Sequence, residues 1–190
     1  TPISEASIAG CAVGAALSGL KPIVEIMFMD FMALAMDAIV NQAAKTHFMF
    51  GGQSPVSLVI RTQHGGGLAA GPQHSQCLEA WFAHIPGLKV VVPATIQDAY
   101  GLLRAAIDDP DPVVFVENKT LYSQKGNLPD KEFTSPLGKA SIVRTGRDIT
   151  IVTYGAMVSV AEKSAAILSK SNIEAEIIDL RTIQPWDEHT

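Results

Sequence analysis

Val56-Ser57-Leu58-Val59-Ile60-Arg61-Thr62 runs directly into Gln63-His64-Gly65-Gly66-Gly67. The stretch 56–62 is rich in β-branched side chains and reads as a strand. The glycine-rich run from Gln63 to Gln73 reads as a loop. Working back, Gly51-Gly52-Gln53-Ser54-Pro55 is a turn, and Phe31 to about His47 reads as a helix. Met32, Met36, Ile39 and Ala43 fall at helical spacing there, as core fillers. Pro22 to Met29 reads as a buried strand. Working forward, His74 to His84 reads as a short helix ended by Pro86-Gly87. Leu88 to Val92 is a strand closed by Pro93. Thr95 caps a helix to about Asp108, with Asp98 completing a capping box. Pro112 to Glu117 is the next strand. Strands alternate with helices and no hairpin signal separates them. That predicts an α/β fold, a parallel sheet flanked by helices on both faces. Ligands in such folds bind at the carboxyl ends of strands. Asp30-Phe31 and the loop after Thr62 sit at those ends.

Residues 6–19 form an Ala/Gly-rich helix closed by Ser18-Gly19. Gly10 and Gly14 share one face, which predicts close packing against a neighbouring helix or a ligand. Residues 119–138 gather Lys, Asn, Gln, Asp, Pro and Gly and read as a linker. Beyond it, Ala140–Arg144, Ile149–Tyr154 and Ile173–Arg181 read as strands and Val158–Ser169 as a helix. These are too few elements for an independent α/β domain, so the second domain is expected to be truncated. Thr1-Pro2-Ile3-Ser4-Glu5 likewise reads as the inside of a longer chain.

The 190 residues are 47% apolar and 17% charged, with a net charge of −5. A mean hydropathy of +0.22 and a pI near 5.5 exclude intrinsic disorder and disfavour a reader of nucleic-acid phosphates. No apolar run has the ~20 residues of a membrane span. Cys11 and Cys77 make no disulfide framework and fit a reducing compartment.

Glu5 lies among small, apolar neighbours, where desolvation favours a protonated carboxyl able to donate a hydrogen bond. A first-turn glutamate favoured by the helix dipole is the plainer alternative. His74 closes the glycine-rich loop, and a histidine at a helix start can pass protons near neutral pH. It and His64 read equally well as surface loop histidines. Asp108-Asp109-Pro110-Asp111 ends a helix, where a bound cation would offset the dipole; a solvated acidic turn is the alternative. The glycine run is neither a phosphate-binding Walker loop nor a dinucleotide fingerprint.

Several segments together carry a resemblance: Thr1-Pro2-Ile3-Ser4-Glu5 with its Ala/Gly helix, Gln73-His74-Ser75-Gln76, Pro86-Gly87-Leu88-Lys89-Val90-Val91, and Asp179-Leu180-Arg181-Thr182-Ile183-Gln184-Pro185-Trp186-Asp187. In this order they resemble the beta subunit of thiamine-diphosphate-dependent 2-oxo acid dehydrogenases, within the transketolase-like superfamily. The resemblance implies a pyrimidine-binding domain over 1–118, lacking its N-terminal part, and a linker over 119–138. A truncated transketolase C-terminal domain follows over 139–190. It implies that Glu5 hydrogen-bonds the cofactor's aminopyrimidine and favours its imino form, with Phe31 packed on that ring and Ile3 also binding cofactor. His74 is expected to assist proton transfer as the acyl group passes to lipoamide. A potassium ion is expected at Leu58, Ala106 and Ile107 through backbone carbonyls, with Asp109 and Asp111 nearby.

The Gly-Asp-Gly…Asn segment that holds magnesium and diphosphate in this superfamily is absent from these residues. The resemblance places it, with Mg2+, on an alpha subunit in an alpha2-beta2 assembly that serves a lipoyl acyltransferase core. The implied reaction is oxidative decarboxylation of a 2-oxo acid with reductive acylation of lipoamide. Glu117 to Gly126 leans towards pyruvate or acetoin over branched-chain substrates. The alternatives are an inert assembly module, or a single-chain thiamine enzyme such as a transketolase or a deoxyxylulose phosphate synthase, whose glutamate motifs differ. The expected compartment is the bacterial cytoplasm, or the mitochondrial matrix in a eukaryote; no nucleic acid or membrane partner is expected.

Overall fold

The structure, a computed structural model, describes residues 2–128 and 132–190. Helix α1 (Glu5–Leu17) buries Glu5, Ala9, Ala12, Val13 and Ala16. These positions form one helical stripe, and Glu5 is the single acid at its head. The small side chains below it let the helix approach the rest of the fold closely. Gly10 and Gly14 are on the opposite, exposed face, where a Cβ would meet nothing within 4 Å. The close packing expected of them is not made within this chain.

Four strands form the parallel part of the first sheet: β1 (Ile23–Ile26), β2 (Val59–His64), β3 (Lys89–Val91) and β4 (Val113–Asn118). β2, β3 and β4 are largely buried on both faces, while β1, at the sheet edge, leaves Ile23 and Glu25 exposed. Val59, Val91, Val113 and Phe115 pack under helix α4 (Ile96–Asp108) through Leu102 and Ala106. Ile26, Ile60, Val90, Val92, Val114 and Val116 pack in the core that includes α1. Thr95 caps α4 as expected, its hydroxyl accepting from the Asp98 N–H at 3.0 Å. The sheet order is β1-β2-β4-β3-β8, and β8 (Thr182–Gln184) runs antiparallel to β3. The sequence reading had left β8 in an unassigned terminal segment. The sheet is therefore parallel with one antiparallel edge.

Residues 29–49 differ from the single helix expected over 31–47. They form a 3-10 helix (Met29–Ala35), a π-helical stretch (Asp37–Ala43) and helix α2 (Ala44–Met49). The buried positions explain the change. Met29, Met32 and Ala35 recur every third residue, the 3-10 period, whereas Ile39 and Ala43 are four apart. Likewise the helix expected over 74–84 divides into a 3-10 turn (Pro72–His74) and helix α3 (Glu79–Ala83).

A second sheet holds β5 (Ser141–Arg144), β6 (Ile149–Thr153) and β7 (Ala175–Asp179) in the order β5-β7-β6. β6 and β7 are parallel, and β5 is antiparallel to β7. Helix α5 (Met157–Ser169) packs Ala161 and Ala165 on Ala175 and Ile177. Both sheets are thus mixed, not wholly parallel. They are tied by the Arg181–Asp98 ion pair at 3.3 Å and by the Tyr154 hydroxyl donating to Glu79 at 3.3 Å. Among the described residues, no helix is long and apolar enough to cross a membrane.

Candidate functional site

The carboxyl ends of β1, β2 and β4 converge on one place. Just past β1, Phe28 and Phe31 meet edge to face at 6.2 Å between ring centroids. The His74 ring, on the loop beyond β2, stands edge-on to both, at 4.7 Å from Phe28 and 5.3 Å from Phe31. Just past β4, Lys119 is only 5% exposed. Its ammonium donates to the His74 carbonyl and lies 5.2 Å from the centroid of the Phe28 ring. Asp30, also buried, accepts at Oδ1 from the Gln76 backbone N–H (3.2 Å) and side-chain amide (2.8 Å). Its Oδ2 is buried and has no partner among the described residues. A buried carboxylate oxygen without a partner is costly, so Oδ2 is open to a donor from a ligand or a water.

Glu5 heads α1, which packs on the 29–35 segment through the shared core. It is 9% exposed. Ile3, by contrast, is 73% exposed just outside α1 and packs on nothing that would make it a site residue within this chain. The structure thus brings Phe31 and His74 together at the strand ends and sets Glu5 on the adjoining helix.

The residues expected around potassium lie elsewhere, around the C-terminal end of α4. The Leu58 carbonyl accepts from the Val113 N–H at 2.8 Å, and the Ala106 carbonyl from the Asp109 N–H at 3.4 Å. Lys89 donates to both carboxylate oxygens of Asp109, at 2.6 and 2.7 Å. Asp111 pairs with His47 Nδ1 at 2.6 Å, and that hydrogen bond, against some desolvation, raises the His47 pKa. Lys89 also lies 3.5 Å from Asp111 Oδ2, so both carboxylates already face its ammonium. The Leu58 and Ala106 carbonyls each keep a second lone pair that an ion could use.

Residues 1–125 match the family described as transketolase, pyrimidine binding domain, and residues 138–190 match transketolase, C-terminal domain. The chain belongs to the transketolase family. Within it, the chain is 53% identical over 190 residues to the beta subunit of acetoin:2,6-dichlorophenolindophenol oxidoreductase of Cupriavidus necator, covering 100% of this chain and 56% of that protein. It is 52% identical over 188 residues to the pyruvate dehydrogenase E1 component subunit beta of Rhizobium meliloti, covering 98% and 41%. It is 51% identical over 194 residues to the mitochondrial pyruvate dehydrogenase E1 subunit beta-2 of Oryza sativa, covering 100% and 52%. The chain spans about half the length of these curated relatives. Among solved structures, a split-gene transketolase described as an inactive beta4 tetramer matches with a TM-score of 0.81 at 24% identity, covering 97% of this chain and 57% of that one. That likeness shows the transketolase fold.

Sequence reasoning reached Glu5, Phe31 and His74 in this transketolase-family chain but passed over Phe28, Lys119 and Gln76. It placed Asp30 at a strand end without giving it a role. The signal for Lys119 was present: a lysine directly after a strand whose burial pattern is largely interior. Only the parallel pairing of β2 with β4 brings that lysine to the His74 loop.

Proposed function

We propose that this chain is the pyrimidine-binding side of a thiamine-diphosphate-dependent 2-oxo acid dehydrogenase, working as a beta subunit beside an alpha subunit. Glu5, only 9% exposed at the head of α1, is the observation that carries this reading. The unsatisfied Asp30 Oδ2 and the aromatic faces of Phe28 and Phe31 fit a flat, nitrogen-bearing ring. Bound, the cofactor supplies a carbon nucleophile that takes up the 2-oxo group with loss of carbon dioxide. Glu5 would hydrogen-bond the pyrimidine ring from the head of α1. Phe31 orients that ring, and Ile3 joins it where the partner chain closes over α1. His74 takes and returns a proton at its imidazole as the acyl group leaves for lipoamide, held by Phe28, Phe31 and the Lys119 contact.

The diphosphate and Mg2+ belong to the alpha subunit in an alpha2-beta2 assembly, with a lipoyl acyltransferase as acceptor. The carbonyls of Leu58, Ala106 and Ile107, with Asp109 and Asp111 nearby, would hold a structural K+. Residues 1–118 are the pyrimidine-binding domain, 119–138 the linker and 139–190 the start of the C-terminal domain. The linker residues 129–131 lie outside the described structure. Pyruvate is the leading substrate. Acetoin is the second reading, favoured by the relatives named for it, and branched-chain 2-oxo acids follow. The compartment is a bacterial cytoplasm or a mitochondrial matrix.

The test is Glu5→Gln in the complete beta subunit, assembled with its alpha subunit. Decarboxylation, followed as dye reduction, should fall by about 100-fold or more, the loss typical of a missing proton-transfer group. An inert assembly module would lose nothing.

A further inference from the structure

We propose that a buried His64–Glu79 pair, tied to Tyr154 of the second sheet, clasps the neck of the loop that carries His74 and so sets where that histidine stands. The proposal rests on the reading of His74 given above. Residues 66–73 are all exposed, and the loop leaves β2 through Gly65 at φ +89°, a backbone that L side chains rarely adopt. Such a segment holds one position only if its ends are fixed. His64 is the last residue before the loop and Glu79 the first of the helix after it.

Both are buried, at 4% and 6% exposure, and His64 Nδ1 lies 3.0 Å from Glu79 Oε2. The direction of that hydrogen bond follows from Asn118. Its Oδ1 is taken by the Thr120 N–H at 3.0 Å and the Thr120 hydroxyl at 2.7 Å. Its amide NH2 therefore faces His64 Nε2, at 3.4 Å. Nε2 accepts, so Nδ1 carries the proton and donates to Glu79. The second Glu79 oxygen, Oε1, accepts from the Tyr154 hydroxyl at 3.3 Å. Burial pushes the Glu79 pKa up, but the hydrogen bonds from His64, its own backbone and Tyr154 overcome this and leave it lowered. Between the pair, the Gly65 N–H donates to the Gln76 carbonyl at 3.3 Å, closing the neck.

The Cys77 thiol lies within 4.8 Å of the His64 and Glu79 ligand atoms, an arrangement that invites a metal reading. The tautomer argues against it. A cation at Nδ1 would leave a proton on Nε2 pointing at the Asn118 amide nitrogen, where an acceptor is needed. The cluster is satisfied as a hydrogen-bonded clasp. Being buried, His64 and Glu79 touch no substrate and act through His74 as positioning residues.

The test uses the complete beta subunit assembled with its alpha subunit, in His64→Ala, His64→Asn, Tyr154→Phe and His74→Ala forms. Two rates are compared: dye reduction, which needs decarboxylation alone, and acylation of a lipoyl domain, which needs His74. Losing a buried hydrogen bond to a charged group corresponds to roughly 10- to 100-fold. His64→Ala should therefore lower lipoyl acylation by about tenfold more than dye reduction. His64→Asn, whose amide NH2 replaces the Nδ1 donor, should restore most of it. Hydrogen exchange at the Gly65 and Gln76 amides should quicken in His64→Ala and, less, in Tyr154→Phe. If His74→Ala cripples acylation while His64→Ala and Tyr154→Phe leave both the rate ratio and these amides as in wild type, the clasp is refuted and His74 stands. If His74→Ala itself spares acylation, the role of His74 falls and the clasp's function with it. Tyr154→Phe keeps the comparison valid should His64→Ala not fold.

Discussion

Gly87 sits at φ +99°, and a Cβ there would lie 1.9 Å from the Ala44 carbonyl oxygen. Neither the backbone of α2 nor the turn before β3 can yield without repacking the core that Ala44 and Leu88 share. Gly87→Ala should therefore cost about 3 kcal/mol, combining a left-handed strain with overpacking, and appear as a large drop in thermal midpoint. From the sequence, Pro86-Gly87 could be read as a helix stop, but the contact that makes glycine obligatory joins residues far apart in the chain. The site shows the same limit. The neighbours of Glu5 are apolar and small, a local fact, but they fit a plain first-turn glutamate as well, and only the family resemblance gave it a role. The meeting of Phe28, His74 and Lys119 depends on three strand ends lining up, which no local pattern encodes. His64 was visible as a loop histidine, but Glu79 carried no signal of its own, and their pairing needed the loop between them to fold back.

At the scale of elements, the capping logic at α4 was legible and has a measurable consequence. Thr95→Ala removes the hydroxyl that accepts from the Asp98 N–H and should cost about 1 kcal/mol in chemical denaturation. The 29–49 segment was misread as one helix because apolar spacing of three and of four both look helical over a short window. β8 was missed because an antiparallel edge strand of three residues leaves almost no pattern. Its neighbour β7 ends in Asp179, whose pKa burial raises from 3.8 to about 6, with the Asp98 charge adding and Arg181 opposing. The unfolded chain then releases this proton at lower pH than the folded one. Between about pH 4 and pH 6 the folded state holds more protons, so this group makes stability fall as pH rises, by up to about 3 kcal/mol. Asp179→Asn should flatten that slope. Urea midpoints at pH 4.5 and pH 7 would check it: the loss of stability from the lower to the higher pH should shrink by about 2 kcal/mol in the variant.

For the whole molecule, the α/β architecture and the order of its elements were readable because alternating strands and helices constrain topology strongly. The mixed pairing of the second sheet was not, since β5, β6 and β7 read identically as strands whichever way they run. The larger consequence concerns what these residues do not supply. They offer an acid, aromatic faces and a histidine, and the proposed function leaves the charged contacts that anchor a diphosphate to a partner chain. Calorimetric titration of thiamine diphosphate with magnesium into the full beta subunit, alone and assembled with its alpha subunit, tests this division most directly. The account predicts binding at least about 100-fold weaker for the folded beta subunit alone, a difference of roughly 2.7 kcal/mol. Equal, tight binding by the beta subunit on its own would contradict it.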